Sequence, residues 1–289
     1  MAIAIPAAPL VRRRERRLMA LPTSTSAAVN WIGVSMALVV TLLAIAVPLL
    51  APHDPLTPVG MPLQAPGHNG FLLGTDSIGR DILSRVLYGA RASWFAALVV
   101  VAIGLLIGGL VGLVAGAAGG WVDSLLMRIT DGFLSLPAPV LAIAVVAALG
   151  PGFVHTLVAV SIVWWPFYAR LVRGEIARLA ARPHVEAAKL AGVSPIRLAG
   201  RHLLPGAVPN ALVAASLDVG TLILTLASLS FLGLGQAAPA PELGADSARN
   251  LSYFLQQWWI PVMPGLGVLV LALVGNIAGD CLRNLMKTS

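Results

Sequence analysis

The residues with the most chemistry to offer lie between 182 and 205, where a polar, charged island separates strongly apolar segments: Glu186-Ala-Ala-Lys-Leu-Ala-Gly192-Val-Ser-Pro-Ile-Arg-Leu-Ala-Gly-Arg-His-Leu-Leu-Pro205. That chemistry is contact, not catalysis. Pro183 fits the first turn of a helix, where its missing N–H costs nothing, and Glu186 then lies close enough to the N-terminus to favour the macrodipole. Ala187 and Ala188 keep helix propensity high while letting a partner surface approach closely. Gly192 can take the left-handed conformation that ends the helix, and Ser194-Pro195 reads as an N-cap followed by a first-turn proline. The expectation is helix, turn, helix, with a first helix from about 183 to 191. Leu204-Pro205 should stop the second helix, because proline lacks a donor and disfavours helix in the residue before it. The whole reads as a docking loop.

Other reactive groups are sparse. His53, His68, His155, His184 and His202 have no ligand-spaced partners, and the single cysteine, Cys281, excludes an intrachain disulfide or a multi-thiolate metal site. No Gly-x-x-x-x-Gly-Lys-Ser/Thr pattern occurs, so the chain has no P-loop to cradle a nucleotide's phosphates. No metal or cofactor is assigned to it. Asp218 is the one carboxylate deep in an apolar run, where ionisable groups are costly and face protein or water. Lining a pathway, meeting a partner subunit and bonding a neighbouring helix are all open to it. Trp164 and Trp165 precede Pro166, whose missing hydrogen bond should kink that run and could make it a hinge.

These residues are carried by a chain that cannot be an ordinary soluble domain: 58% of its 289 residues are hydrophobic, 11% are charged and the mean hydropathy is +0.88. The net charge of +7 does not point to nucleic acid, because the basic residues sit in gaps between apolar runs. A bilayer core needs about 20 apolar residues per helix, and six runs qualify: 30–50, 92–118, 134–150, 153–172, 208–232 and 259–281. The fold class is therefore all-α and polytopic, with six transmembrane helices and both termini on one side.

Fifteen of the nineteen Lys and Arg fall in alternate connections that include the N-terminus, Arg128, the 170–201 region and the C-terminus; Arg80, Arg85, Arg91 and Arg249 fall opposite. By the positive-inside rule both termini and the 182–205 loop are cytoplasmic. Residues 1–28 form a basic tail, and the run Arg12 to Arg17 before the first span resembles a signal-peptide start. The following apolar core is too long for one, which favours an uncleaved anchor whose basic residues meet anionic headgroups. Trp31, Trp94, Trp121, Trp258 and Trp259 fall near helix ends, where the headgroup layer suits an indole. Gly104, Gly108, Gly112 and Gly116 share one face of the second span and should form a close-packing seam.

The order and spacing of the 186–205 island resemble the coupling loop of bacterial ABC importer permeases. Leu73-Gly-Thr-Asp-Ser-Ile-Gly-Arg-Asp-Ile-Leu-Ser-Arg-Val-Leu-Tyr-Gly-Ala-Arg91, Trp165-Pro-Phe-Tyr-Ala-Arg-Leu-Val-Arg-Gly174, Ser230-Phe-Leu-Gly-Leu-Gly235, Pro264-Gly-Leu266 and Gly279-Asp280 narrow the likeness to the C-type permeases of dipeptide and oligopeptide importers. It runs from about 29 to 286. The resemblance implies a type I ABC importer permease fold over 29–289, with ATPase contacts from Glu186, Ala187, Ala188, Gly192, His202, Leu204 and Pro205. It further implies a second, B-type permease, two ABC ATPase subunits or one fused ATPase that use ATP and Mg, and an extracytoplasmic substrate-binding protein. Nickel and glutathione importers use similar permeases, so they are alternatives for the cargo. Pro239-Ala-Pro-Glu-Leu-Gly244 departs from the family's Pro-Pro-Thr-Pro-x-Trp-Gly stretch, which leaves the outer loops open.

Two other classes fit less well. A proton- or sodium-coupled carrier should show intramembrane carboxylates in corresponding positions of two repeats, and only Asp218 lies deep in a span. An intramembrane hydrolase needs a nucleophile and a base within the spans; His155 is the nearest base, with no serine in a nucleophile motif.

Overall fold

Proline and glycine punctuate the apolar runs, and the helices of the computed structural model follow that punctuation, within described residues 23–288. They are α1 Thr23–Leu50, α2 Ile82–Ala118, α3 Gly120–Leu134, α4 Ala138–Leu149, α5 Phe153–Ala180, α6 Pro183–Leu190, α7 Pro195–Leu198, α8 Leu204–Phe231, α9 Leu243–Arg249 and α10 Trp259–Thr288. A π turn, Ala199–Leu203, joins α7 to α8, and a single 3₁₀ turn, Leu251–Tyr253, follows α9. The expected basic run Arg12 to Arg17 lies outside the described residues.

Among the described residues, four helical runs are long and apolar enough to span a membrane: Asn30–Leu50, Ile82–Ala118, Pro195–Phe231 and Trp259–Met286. The expected span at 134–150 is not one helix. Pro137 and the preceding Ser135-Leu136 break it, so α3 and α4 meet at 87°, and the pair makes a fifth span only if counted together. At about 18 Å, α4 alone is too short for a hydrocarbon core of about 30 Å. The expected span at 153–172 corresponds to α5, Phe153–Ala180. It is long enough, at about 42 Å, but Trp164, Trp165, Tyr168 and Arg170 lower its apolarity. One face of α5 is interior, with Tyr168, Ala169 and Ile176 fully buried, while Arg170 is exposed and pairs with Asp131. The helix passes through Pro166 without a break.

The glycine face of α2 is the seat for α5. A Cβ at Gly108 would collide with the carbonyl oxygen of Trp165, one at Gly112 with that of Ala169, and one at Gly116 would stand 2.8 Å from Ile176 Cβ. Backbones so close gain dispersion contacts that lipid cannot match. Around this pair, α8 packs on α10 through Gly220, Gly275 and Gly279, and α1 packs on α10 where Gly33 meets Cys281. Trp94 belongs to this core and not to an interfacial belt; it is 3% exposed and donates to Thr41 Oγ1 at 3.1 Å.

Helix α2 begins ten residues before the expected span because Asp81 caps it, accepting from Leu83 N, Ser84 N and Ser84 Oγ. The extension carries Arg85, which is 4% exposed and closes a clasp over three segments. Its guanidinium donates to Asp246 at 2.7 and 3.1 Å, to Pro55 O at 2.8 Å and to Pro239 O at 3.2 Å. Beside it Glu242 caps α9 by accepting from Ala245 N at 2.8 Å, and burial pushes its carboxyl above the usual range.

Two outcomes follow. Gly108→Ala lowers the thermal midpoint of the detergent-purified chain, at a cost of about 1–3 kcal/mol, whereas Gly109→Ala, with open space around its Cβ, does not. Arg85→Met leaves buried Asp246 with only the half-exposed Arg249, 3.1 Å away, as its cationic partner and costs about 3–5 kcal/mol; adding Asp246→Leu recovers part of the loss in the same melting assay.

Candidate functional site

The 182–205 segment is built from the inside out. Val185 is fully buried, Leu198 and Leu203 are 6% and 1% exposed, and all three pack in one apolar cluster with Val172, Ile176 and Leu179 of α5 and Ala207 and Ala211 of α8. Ala188 and Val193 close its edge. Burying one such aliphatic side chain contributes about 1.5–3 kcal/mol, so α6, α7 and the π turn are pegged to the ends of both long helices.

The turns are held by the backbone. Pro183 occupies the first turn of α6, Glu186 lies in that turn and Lys189 in the last, each complementing the helix dipole. Gly192 has φ +77°, its N–H donates to Lys189 O at 3.0 Å, and Val193 N donates to Ala188 O at 3.2 Å. This pair of bonds is the Schellman closure of α6. Ser194 has the extended backbone of an N-cap, but its side chain makes no capping bond.

The expected stop at Leu204-Pro205 does not occur. Leu204 N donates to Ala199 O, five residues back, and the helical run continues from Pro195 to Phe231. The widened turn shifts the ladder just ahead of Pro205, so the ring enters the first turn of α8 where no donor is required of it.

Glu186, Ala187 and Gly192 are exposed at the tip, while Ala188 is half-buried against the apolar cluster. His202 is half-buried in the π turn, and Leu204 and Pro205 are exposed where α8 begins. The tip also carries Leu190 and Ile196, each 88% exposed. Sequence reasoning passed over both. The available signal was that two large aliphatic side chains stand in a polar island whose internal apolar needs are already met by Val185, Leu198 and Leu203.

Further along the bundle, Trp164 Nε1 donates to Asp218 Oδ2 at 3.2 Å, joining α5 to α8. Trp165 does not share that contact; it stacks edge-on against Phe133 of α3, with ring centroids 5.4 Å apart. Two ion pairs fasten α3 to the same half of α5: Arg173 grips Asp123 at 2.5 and 3.0 Å, and Arg170 pairs with Asp131.

Long apolar helices joined by a packed, polar connecting segment are the architecture of a polytopic membrane protein. The protein family described as binding-protein-dependent transport system inner membrane component matches residues 108–288. The chain belongs to that family. It is 43% identical over 249 residues to the probable D,D-dipeptide transport system permease protein of Escherichia coli, covering 85% of this chain and 82% of that one. It is 42% identical over 212 residues to the glutathione transport system permease protein of Pectobacterium atrosepticum, covering 73% and 70%. Among solved structures, a chain of the inward-facing MetNI methionine ABC transporter superposes with a TM-score of 0.57 at 20% identity, over 72% of this chain and 97% of that one. The fold is that of an ABC importer permease.

Replacing Gly192 with valine meets no steric obstacle, since a Cβ there has open space, but forces a β-branched residue to φ +77°. The expected cost is about 1–3 kcal/mol, confined to α6. Hydrogen exchange should accelerate at 185–193 while the melting temperature of the whole protein stays put.

Proposed function

We propose that this chain is the translocation subunit of an ATP-driven importer of short peptides across the bacterial cytoplasmic membrane. It works beside a second permease, with ATPase subunits, two chains or one fused, that bind ATP and Mg, and with an extracytoplasmic binding protein that delivers cargo. The observation that carries this reading is the combination of a pegged base and an apolar tip. Leu190 and Ile196 are fully hydrated unless something covers them, and their base is too well packed to fold back over them. Glu186, Ala187, Ala188 and Gly192 surround the tip as the contact residues, with His202, Leu204 and Pro205 passing its displacement into α8.

Both termini and the tip are assigned to the cytoplasm, supported by the fifteen-to-four distribution of Lys and Arg. Nucleotide binding closes the ATPase pair and draws the tips together, and hydrolysis resets them. The drive is the difference in nucleotide affinity between the two states. Peptide cargo is supported by the two relatives above, whose names specify a D,D-dipeptide and glutathione. Both cargoes are short, amide-linked and carry a free amino group.

Uptake of labelled dipeptide, glutathione and nickel in cells lacking this chain tests the cargo. Dipeptide uptake is expected to vanish and return with the plasmid-borne gene, while nickel uptake is untouched; unchanged dipeptide uptake would sink the reading. For the tip, the double change Leu190→Glu, Ile196→Glu should leave membrane insertion intact and cut substrate-stimulated ATP hydrolysis about tenfold or more, the loss of roughly 1.4 kcal/mol or more of interface. Cysteines at 187 or 190 should crosslink to an ATPase subunit; crosslinks only to lipid or to the other permease would refute the assignment.

A further inference from the structure

One face of α8 carries a polar stripe, with Leu224 the exposed apolar side chain beside it. Asp218, Thr221, Thr225 and Ser228 recur at three- and four-residue spacing, so they fall on one stripe. All four are at least partly exposed, whereas Leu222, Ile223, Leu226 and Leu229 on the other side are buried. Counted from Leu204 at about 1.5 Å per residue, Asp218 stands about 21 Å along the helix, near the middle of a hydrocarbon core about 30 Å thick. A carboxylate at that depth faces protein or water.

The stripe has a definite chemical sense. Thr225 Oγ1 donates to Thr221 O at 2.8 Å and Ser228 Oγ donates to Leu224 O at 2.7 Å, so each hydroxyl spends its hydrogen on its own helix and turns lone pairs outward. Asp218 receives a hydrogen bond from Trp164, and among the described residues no Lys, Arg or His stands within ion-pair distance of it. The fully buried Tyr168 hydroxyl faces the same carboxylate. The result is a carboxylate with no cationic partner among the described residues, followed by hydroxyl acceptors, which suits a ligand with a cationic end and N–H groups behind it.

We propose that this face of α8 is a wall of the translocation path, and that Asp218 holds the terminal ammonium of a peptide in transit while Thr221, Thr225 and Ser228 accept from its amide N–H groups. Asp218 to Thr225 is about 10 Å along the helix, the reach of about three extended residues, so the wall is matched to short peptides. Because α8 continues without a break from the tip at Pro195, displacement of the tip moves this station directly. The inference rests on the peptide-importer reading above.

The test uses the complete importer in proteoliposomes with Thr221→Cys in a Cys281→Ser background. Thiosulfonate reagents that carry either a trimethylammonium or a sulfonate should both label Cys at 221, the cationic one faster. Asp218→Asn should lower that cation preference about tenfold, as the loss of one nearby charge predicts, and Asp218→Glu should keep it. Ala-Ala should protect the thiol, and N-acetyl-Ala-Ala should not. Failure of both reagents to label would overturn the proposal by placing this face against lipid or the partner permease. Labelling without charge preference, or equal protection by the acetylated peptide, would overturn the ammonium station. Should the Asp218→Asn complex not assemble, the two protection measurements decide alone. Absence of Ala-Ala uptake by the unmodified complex would instead count against the peptide cargo, while the labelling still reports whether water reaches α8.

Discussion

The packing of Val185, Leu198 and Leu203 against the C-terminal end of α5 and the start of α8 is the constraint on which the rest depends. A tip that swivelled on its connections would absorb any displacement in rotations of its own backbone, and nothing would reach the membrane. Pegging removes those rotations. Three aliphatic side chains, each contributing about 1.5–3 kcal/mol by burial, make the tip part of the same solid as the two helices it joins. The Schellman closure at Gly192 and the π turn at Ala199–Leu203 serve the same end, because each satisfies backbone groups at a junction without leaving a flexible link.

The tip straddles two close-packed units. On one side α5 is locked to α2 through the glycine seam; on the other α8 is locked to α10 through Gly220, Gly275 and Gly279. Close-packed elements respond to load as blocks, since their interfaces have no slack to take up strain. Force entering at 183–203 therefore acts at the joint between the units. The Arg85 clasp binds the start of α2 to α9 through Asp246, so the α2 unit also holds the approach to α10. The ion pairs of Arg170 and Arg173 add α3 to the α5 side.

Much of this was legible in the sequence wherever a local rule governs. Pro183 and Gly192 bracket α6 because one lacks a donor and the other tolerates positive φ, and the four-residue glycine spacing on α2 needs no knowledge of its partner to imply close approach. What escaped depends on contacts far apart in the chain. Arg85 reads as an ordinary outer-loop cation until the fold brings Asp246 to it across 161 residues. Trp94 resembles an interfacial anchor until Thr41 accepts its N–H. The break between α3 and α4 falls at Ser135-Leu136-Pro137, at the edge of the apolar run, and Pro205 misleads because the π turn that accommodates it has no strong sequence mark. The exposure of Leu190 and Ile196 could only be seen once the buried set was known.

Two surfaces of this chain are wrong for their surroundings, and they lie on one helical run. At its start Ile196, with Leu190 beside it, sets apolar area in water; further along, Asp218, Thr221, Thr225 and Ser228 set polar groups at membrane depth. Each mismatch costs free energy that an isolated chain does not recover, through exposed apolar area in one case and unmet hydrogen-bonding capacity in the other. Burial of the tip on a partner and hydration of the stripe by a pathway relieve the two separately. Since a continuous helix from Pro195 to Phe231 links them, a load on the first is felt at the second without any intervening joint. On the importer reading proposed above, α8 with its pegged approach is the rigid element that a nucleotide-driven contact and a cargo contact would share.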